Sequence, residues 1–403
     1  MPLGVTEKTM KKRIVNIFLV LTSIFLALAL CEVGLWFLGI EYPNFWDFDP
    51  VLGSKLRPGA QGYWLQEGGG YVSINSDGLR DREHALDKPP NTLRIAVLGD
   101  SYTEALQVNR EDAFWAVMEK DLNKCKNLGH RQVEVINFGQ SGFGTTLELL
   151  ALRHRVWKYS PDAVLLAFIY NDVSDNFKPL AIQFNGSLSD FTPYHFYKNG
   201  KLILVDRLKE FKNQWEELPT ADSTWFPFQQ WLTNSRMFHL VRHCQRIVWT
   251  QSKAESIPYD NKPIFRQPTD EHWEEAWRIT EDVLLLMRDE IAQRGVKFFV
   301  VVLTHPIQVY PDPEFRDQYA KKIGVKNLSY LDRRLEKFCQ RVGIPILFLA
   351  PTFQEYADKH RVYLHGFKNT LGFGGNLGEG HWNQTAHHLA GNLIAEWLCE
   401  QIN

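Results

Sequence analysis

Four short polar clusters in this chain carry residue types suited to acyl transfer. They are "GDSYTE" around Ser101, "NFGQSGFGTT" around Gly142, "YNDVSDN" around Asn171 and "GEGHWN" around His381. A serine hydroxyl becomes a nucleophile when a neighbouring base takes its proton, and a loop histidine can be that base near neutral pH. The imidazole needs a carboxylate to fix its tautomer, and Glu379 stands two residues before His381. A developing oxyanion needs convergent N–H donors. The Ser101 and Gly142 backbone N–H groups and the Asn171 side-chain amide are one such set. In isolation Gly99-Asp100-Ser101 reads more simply as a helix start, because Asp and Ser accept hydrogen bonds from the free N–H groups there.

The other polar residues of these clusters have plainer roles. Ser141 is a second nucleophile candidate, but "GQSG" lacks the G-x-S-x-G spacing of a nucleophile elbow, and its glycines suit an oxyanion turn. His387 and His388 do not stand in H-E-x-x-H spacing with His381, so no metal is called for, and no organic cofactor either. Both fall on the last helix as packing or surface residues. Asp172 and Asp175 suit capping and bracing of the loop that carries Asn171.

The clusters share a position in the chain's pattern. Near-continuous apolar runs at 93–98, 133–138, 163–169, 296–303 and 344–349 read as parallel strands buried on both faces. Helical stretches at about 104–122, 145–158, 270–294, 326–342 and 384–401 alternate with them, which predicts a three-layer α/β/α fold. In such sheets ligands gather beyond the carboxyl ends of the strands. Ser101, Gly142 and Asn171 each follow one of the first three strands, and His381 lies on a loop before the last helix. The alternation breaks at about 177–268, an insertion that contains a hairpin at 196–206 and the aromatic stretch 223–249. It predicts a cap or a surface for an envelope protein partner.

The amino terminus predicts a membrane anchor. Lys8, Lys11, Lys12 and Arg13 precede 18 uncharged residues, 14–31, and the apolar pattern resumes after Glu32 to Ile40. The uncharged run spans about 27 Å as a helix, close to a bilayer core. Flanking charges place residues 1–13 in the cytoplasm, 14–40 in the membrane and the remainder outside. A cleaved signal peptide is the rival, because "ALA" at 27–29 resembles a cleavage site, but the apolar pattern runs past it. Glu32 reads as an interfacial residue in preference to a contact with a partner helix. Residues 41–92, rich in Gly, Pro and Asn, read as a surface-hugging linker or entry segment that leads into a domain from 93 to 403.

Composition excludes other classes. With 45 basic and 47 acidic residues the chain has no basic footprint for nucleic acid. The five cysteines show no C-x-x-C pair and make a poor disulfide framework.

The four blocks resemble, in order, those of the SGNH/GDSL hydrolase family, named for a Ser, a Gly, an Asn and a His. Ser101, Gly142, Asn171 and His381 occupy those places, and the likeness covers about 93–401. The resemblance implies a flavodoxin-like fold and serine-dependent ester hydrolysis or acyl transfer. The stretch "NSDGLRDRE" and the anchor are similar to a bacterial membrane-anchored branch. One departure stands out. The family's common pattern has Asp three residues before the histidine, where this chain has Gly378. Glu379 at minus two matches the spacing of an Asp in related polysaccharide O-acetylation proteins. The implied function is a periplasmic or extracellular esterase acting on an ester or O-acylated glycan. An O-acyltransferase and a non-catalytic scaffold with the same fold are the alternatives.

Overall fold

The computed structural model describes residues 7–38, 43–129, 131–185, 192–206, 235–238, 240–241, 262–368 and 376–402. The chain divides into two compact units, one of Met1–Asn44 with Pro219–Ser256 and one of Phe45–Leu218 with Ile257–Asn403.

The larger unit is built on five parallel strands: β1 (Thr92–Gly99), β2 (Gln132–Asn137), β3 (Ala163–Phe168), β4 (Lys297–Val302) and β5 (Ile346–Phe348). Their spatial order is β5-β4-β3-β1-β2. This is the doubly wound order, with a switch point beyond the carboxyl ends of β1 and β3. Strand residues alternate between two cores, as the period of two requires. Ala96, Leu98, Val164 and Leu166 enter one core. Helices α3 (Thr145–His154) and α6 (Glu271–Gln293) cover that face. Ile95, Val97, Leu165 and Val301 enter the other core, covered by α2 (Phe114–Leu122) and the last helix, Gln384–Gln401. The expected three-layer fold with a parallel sheet is present.

Four expectations change. The helix expected from about 104 starts as α1 (Ser101–Glu104), a single turn, and stops because Ala105 takes a left-handed conformation (φ 54°). It resumes only at α2. Ser101 therefore lies at the free N–H groups of a single turn and not at the end of a long helix.

Residues 45–92, expected as a linker or entry segment, are an ordered part of the larger unit. Two antiparallel ribbons, Trp46–Asp49 with Gly53–Leu56 and Gln61–Tyr63 with Tyr71–Ser73, pack around Phe45, Leu56, Val72, Ile74 and Leu106. Leu52 and Leu79 reach into the main core. Apolar burial explains why this stretch is ordered despite its glycines.

Cys125 and Cys399 form a disulfide across 274 residues, with Cα atoms 5.9 Å apart. That separation suits a bridge, and long-range packing of Phe114–Leu122 on the last helix brings the two together, which no local spacing could reveal.

Helix α4 (Asp172–Asp175) leads into the 177–268 insertion, where α5 (Lys178–Asn185) is followed by a hairpin, Tyr194–Lys198 with Lys201–Val205. Its Asn199-Gly200 turn has φ of 51° and 74°, the left-handed pair that a tight hairpin demands. Most of the aromatic stretch 223–249 lies outside the described residues.

The smaller unit contains the helix Glu7–Phe37, of which Lys12–Phe37 is long and apolar enough to cross a membrane. Glu32 accepts hydrogen bonds from Ser235 Oγ at 3.0 Å, Arg236 N at 2.6 Å and Met237 N at 3.1 Å. It is a contact between chain segments, not a solitary interfacial charge.

Candidate functional site

Ser101 sits at the first position of α1, directly after β1. Asp100 caps the turn, its Oδ1 accepting from Tyr102 N at 2.9 Å. The capping and nucleophile readings are thus compatible: Asp100 holds the turn and leaves the Ser101 hydroxyl outside it. His381 Nε2 lies 2.8 Å from Ser101 Oγ. This is hydrogen-bond range for proton transfer from a serine to a base.

The loop carrying His381 is fixed from beneath. Trp382 Nε1–H donates to Thr304 Oγ1 at 2.8 Å, and the Thr304 hydroxyl meets His365 Nε2 at 2.9 Å. His365 Nδ1–H donates to the Gly380 carbonyl at 2.9 Å, which Tyr102 OH reaches at the same distance. Burial pushes the His365 pKa down to about 3, so it stays neutral and keeps this relay of donors and acceptors. The Tyr102 ring lies 4.9 Å from the His381 ring and fixes its plane.

The carboxylate on His381 is Glu67, not Glu379. Glu67 Oε2 lies 2.6 Å from His381 Nδ1, and Oε1 accepts from the His381 backbone N–H at 2.8 Å. Glu379 faces the Asn376 side-chain amide at 3.3 Å, on the exposed side. The reason is local. Gly380 turns the chain with φ of 70°, and a Cβ there would lie 2.3 Å from Glu67 Oε1, so the missing side chain is the space that Glu67 fills. Glu67 arrives from the turn between Gln61–Tyr63 and Tyr71–Ser73. Next to it, Gly68 passes so near Gln107 that a Cβ would be 2.2 Å from its carbonyl oxygen.

Burial alone would lower the His381 pKa, but the hydrogen bond and charge of Glu67 outweigh it and raise the pKa above that of an ordinary histidine. This pairing also sets the tautomer: Nδ1 carries the proton shared with Glu67, and Nε2 is free to accept from Ser101.

The loop around Gly142 and the Asn171 side chain meet the same turn. Gly139 packs so tightly on α1 that a Cβ would lie 2.5 Å from the Thr103 side chain. Ser141 donates its hydroxyl and backbone N–H to Glu104, the last residue of α1. Ser141 is thereby bound to an acid, with no imidazole beside it, and serves the turn. Burial pushes the Glu104 pKa up to about 7, against the hydrogen bonds from Ser141 and the charge of Arg80. Among the described residues no protein acceptor takes the Ser101 or Gly142 backbone N–H. Asn171 donates to Asp175 Oδ2 at 2.9 Å and faces Asp100 Oδ2 at 3.3 Å, the same oxygen that lies 3.3 Å from Ser101 Oγ. Asn171 is therefore held against the nucleophile turn by Asp175.

Asp172 accepts from Ile169 N at 2.9 Å and braces the loop, as expected. His387 is buried, stacks on Phe114 and accepts from its backbone N–H at 3.3 Å. His388 pairs with Asp112 at 2.9 Å. Among the described residues no group of three His, Cys, Asp or Glu side chains could hold a metal. A shallow depression lies beside Gly142 and Asp175, walled by Leu147, Lys178 and Tyr194.

No protein-family model matches the chain, and no curated protein matches it. Solved structures similar to it include an acetyl xylan esterase, at 13% identity over 77% of this chain and 100% of that one, with a TM-score of 0.37. A lipase/acylhydrolase from Enterococcus faecalis is 15% identical over 77% of this chain and 96% of its own, also at 0.37. A GDSL-like lipase from Bacteroides thetaiotaomicron is 12% identical over 79% and 93%, at 0.31. At these values the chemistry must be read from the contacts around Ser101.

Proposed function

We propose that this chain is a membrane-anchored serine esterase that hydrolyses an acyl ester of an envelope glycan, lipid or small molecule. The observation that carries the reading is the continuous contact Glu67–His381–Ser101. Ser101 Oγ attacks the ester carbonyl while its proton passes to His381 Nε2. Glu67 steadies the imidazolium, and the Ser101 and Gly142 N–H groups stabilise the oxyanion, joined by the Asn171 amide when substrate takes the place of its long contact to Asp100. His381 returns the proton to the departing alcohol. Water then repeats the sequence on the acyl-enzyme and releases the acid. A scaffold that merely retained the fold would have no need of a hydroxyl, an imidazole and a carboxylate in register.

The basic residues before the apolar helix favour an ectodomain outside the cytoplasm. The Cys125–Cys399 bridge supports the same side, because disulfides persist in oxidising compartments. Hydrolysis of p-nitrophenyl acetate by the full chain tests the assignment. Ser101→Ala should lose at least about 10³-fold in kcat with an unchanged circular dichroism spectrum. Turnover retained in that variant overturns it.

A further inference from the structure

Among the described residues the apolar helix meets the insertion at the partly buried Glu32, whose carboxylate is held by hydrogen bonds, and its depth is informative. Lys12–Phe37 would span about 39 Å at the rise of an α-helix, more than the roughly 30 Å of a hydrocarbon core. Centred in a bilayer, the helix places Glu32 about 4 Å inside the outer boundary. A carboxylate at that depth is costly unless partnered. The first N–H groups of a helix are costly there as well, because lipid offers them no acceptor. In this chain the two costs cancel. Arg236 and Met237, the first helical residues after Ser235, give their N–H groups to Glu32, and Ser235 adds its hydroxyl. The Ser235 hydroxyl also accepts from Phe238 N at 3.2 Å, so it completes the cap.

We propose that the insertion returns to the membrane and docks on the anchor through Glu32, seating Ser235–Met237 at the outer hydrocarbon boundary. The partner of this part of the insertion is the chain's own anchor and the surrounding lipid, not a separate envelope protein. The sequence around the contact suits that surface. Trp225, Phe226, Phe228 and Trp231 precede it, and Arg236, Arg242 and Arg246 stand at and after it. Aromatic and basic residues together are the composition of interfacial segments on anionic lipid. The chain passes between its two compact units at Asn44–Phe45, Leu218–Pro219 and Ser256–Ile257. Cutting the first link would therefore leave the larger unit tied to the membrane through the insertion.

The test is a protease site inserted between Asn44 and Phe45 of the full chain, reconstituted in phosphatidylethanolamine/phosphatidylglycerol vesicles. After cleavage and flotation, the carboxy-terminal fragment should stay with the vesicles. Glu32→Leu should release about tenfold more of it, and Ser235→Ala should release an intermediate amount. Near-UV circular dichroism of the released fragment checks that it is folded. Release of the unsubstituted fragment overturns the proposal. Retention unaffected by both substitutions also overturns it, because the Glu32 contact would then hold nothing.

Discussion

Replacing Glu67 by glutamine separates the observed carboxylate from the one suggested by sequence spacing. Glu67 makes two contacts with His381, one to Nδ1 at 2.6 Å and one from the backbone N–H at 2.8 Å. Glutamine has only one oxygen for both. If that oxygen keeps the backbone N–H, the amide NH₂ faces Nδ1 and drives the imidazole proton to Nε2, where it blocks acceptance from Ser101. If the amide flips, two donors oppose each other, at about 1–3 kcal/mol. In either case the negative charge facing the imidazolium is gone, which costs several kcal/mol more. Together these amount to about 4–5.5 kcal/mol, or a fall of about 10³–10⁴ in kcat. Steady-state hydrolysis of p-nitrophenyl acetate would read the effect. Glu379→Gln, on the exposed side, should remain within about twofold. A large loss in Glu379→Gln with normal rates in Glu67→Gln would refute the reasoning.

Further outcomes follow from the same geometry. Gly380→Ala would place a Cβ on Glu67 Oε1 in a left-handed backbone position; kcat should fall about 10²-fold, and an unchanged kcat would contradict the packing. The base must be neutral to accept from Ser101, so activity should rise with pH through the His381 pKa. That midpoint should lie above the ordinary 6.5, because Glu67 raises it, and the residual activity of Glu67→Gln should titrate lower. Glu148 is fully buried with both carboxyl oxygens unpartnered, and burial and the charges of Asp100 and Asp175 hold its pKa well above the usual 4.5. The folded protein therefore keeps a proton that the unfolded chain has lost, and stability declines as pH rises above about 4.5 towards the folded pKa. Glu148→Gln should raise the melting temperature by a few degrees at pH 8 and little at pH 4. A lower melting temperature at pH 8 would show that the carboxylate has a partner.

The sheet was legible because β1 to β4 are buried on both faces and read as unbroken apolar runs. Three of the four polar clusters were legible because each directly follows a strand. Glu67 was not, since 314 residues separate it from His381 and no spacing rule links them. Its only local signal is "EGGG", Glu67-Gly68-Gly69-Gly70, a turn whose glycines allow close approach to Gln107. The break at Ala105 had no signal either, because a left-handed alanine is imposed by packing and not by propensity. Cys125 and Cys399, and Glu32 and Ser235, share this difficulty: each contact is made by tertiary structure across more than two hundred residues.

The central claim is that His381 activates Ser101. Labelling of the full chain with a fluorophosphonate, followed by intact-mass analysis and peptide mapping, tests it most directly, because the probe needs an activated serine. The expected result is a single adduct on Ser101, lost in both Ser101→Ala and His381→Ala. An adduct on Ser141, or none on the unsubstituted protein, would contradict it.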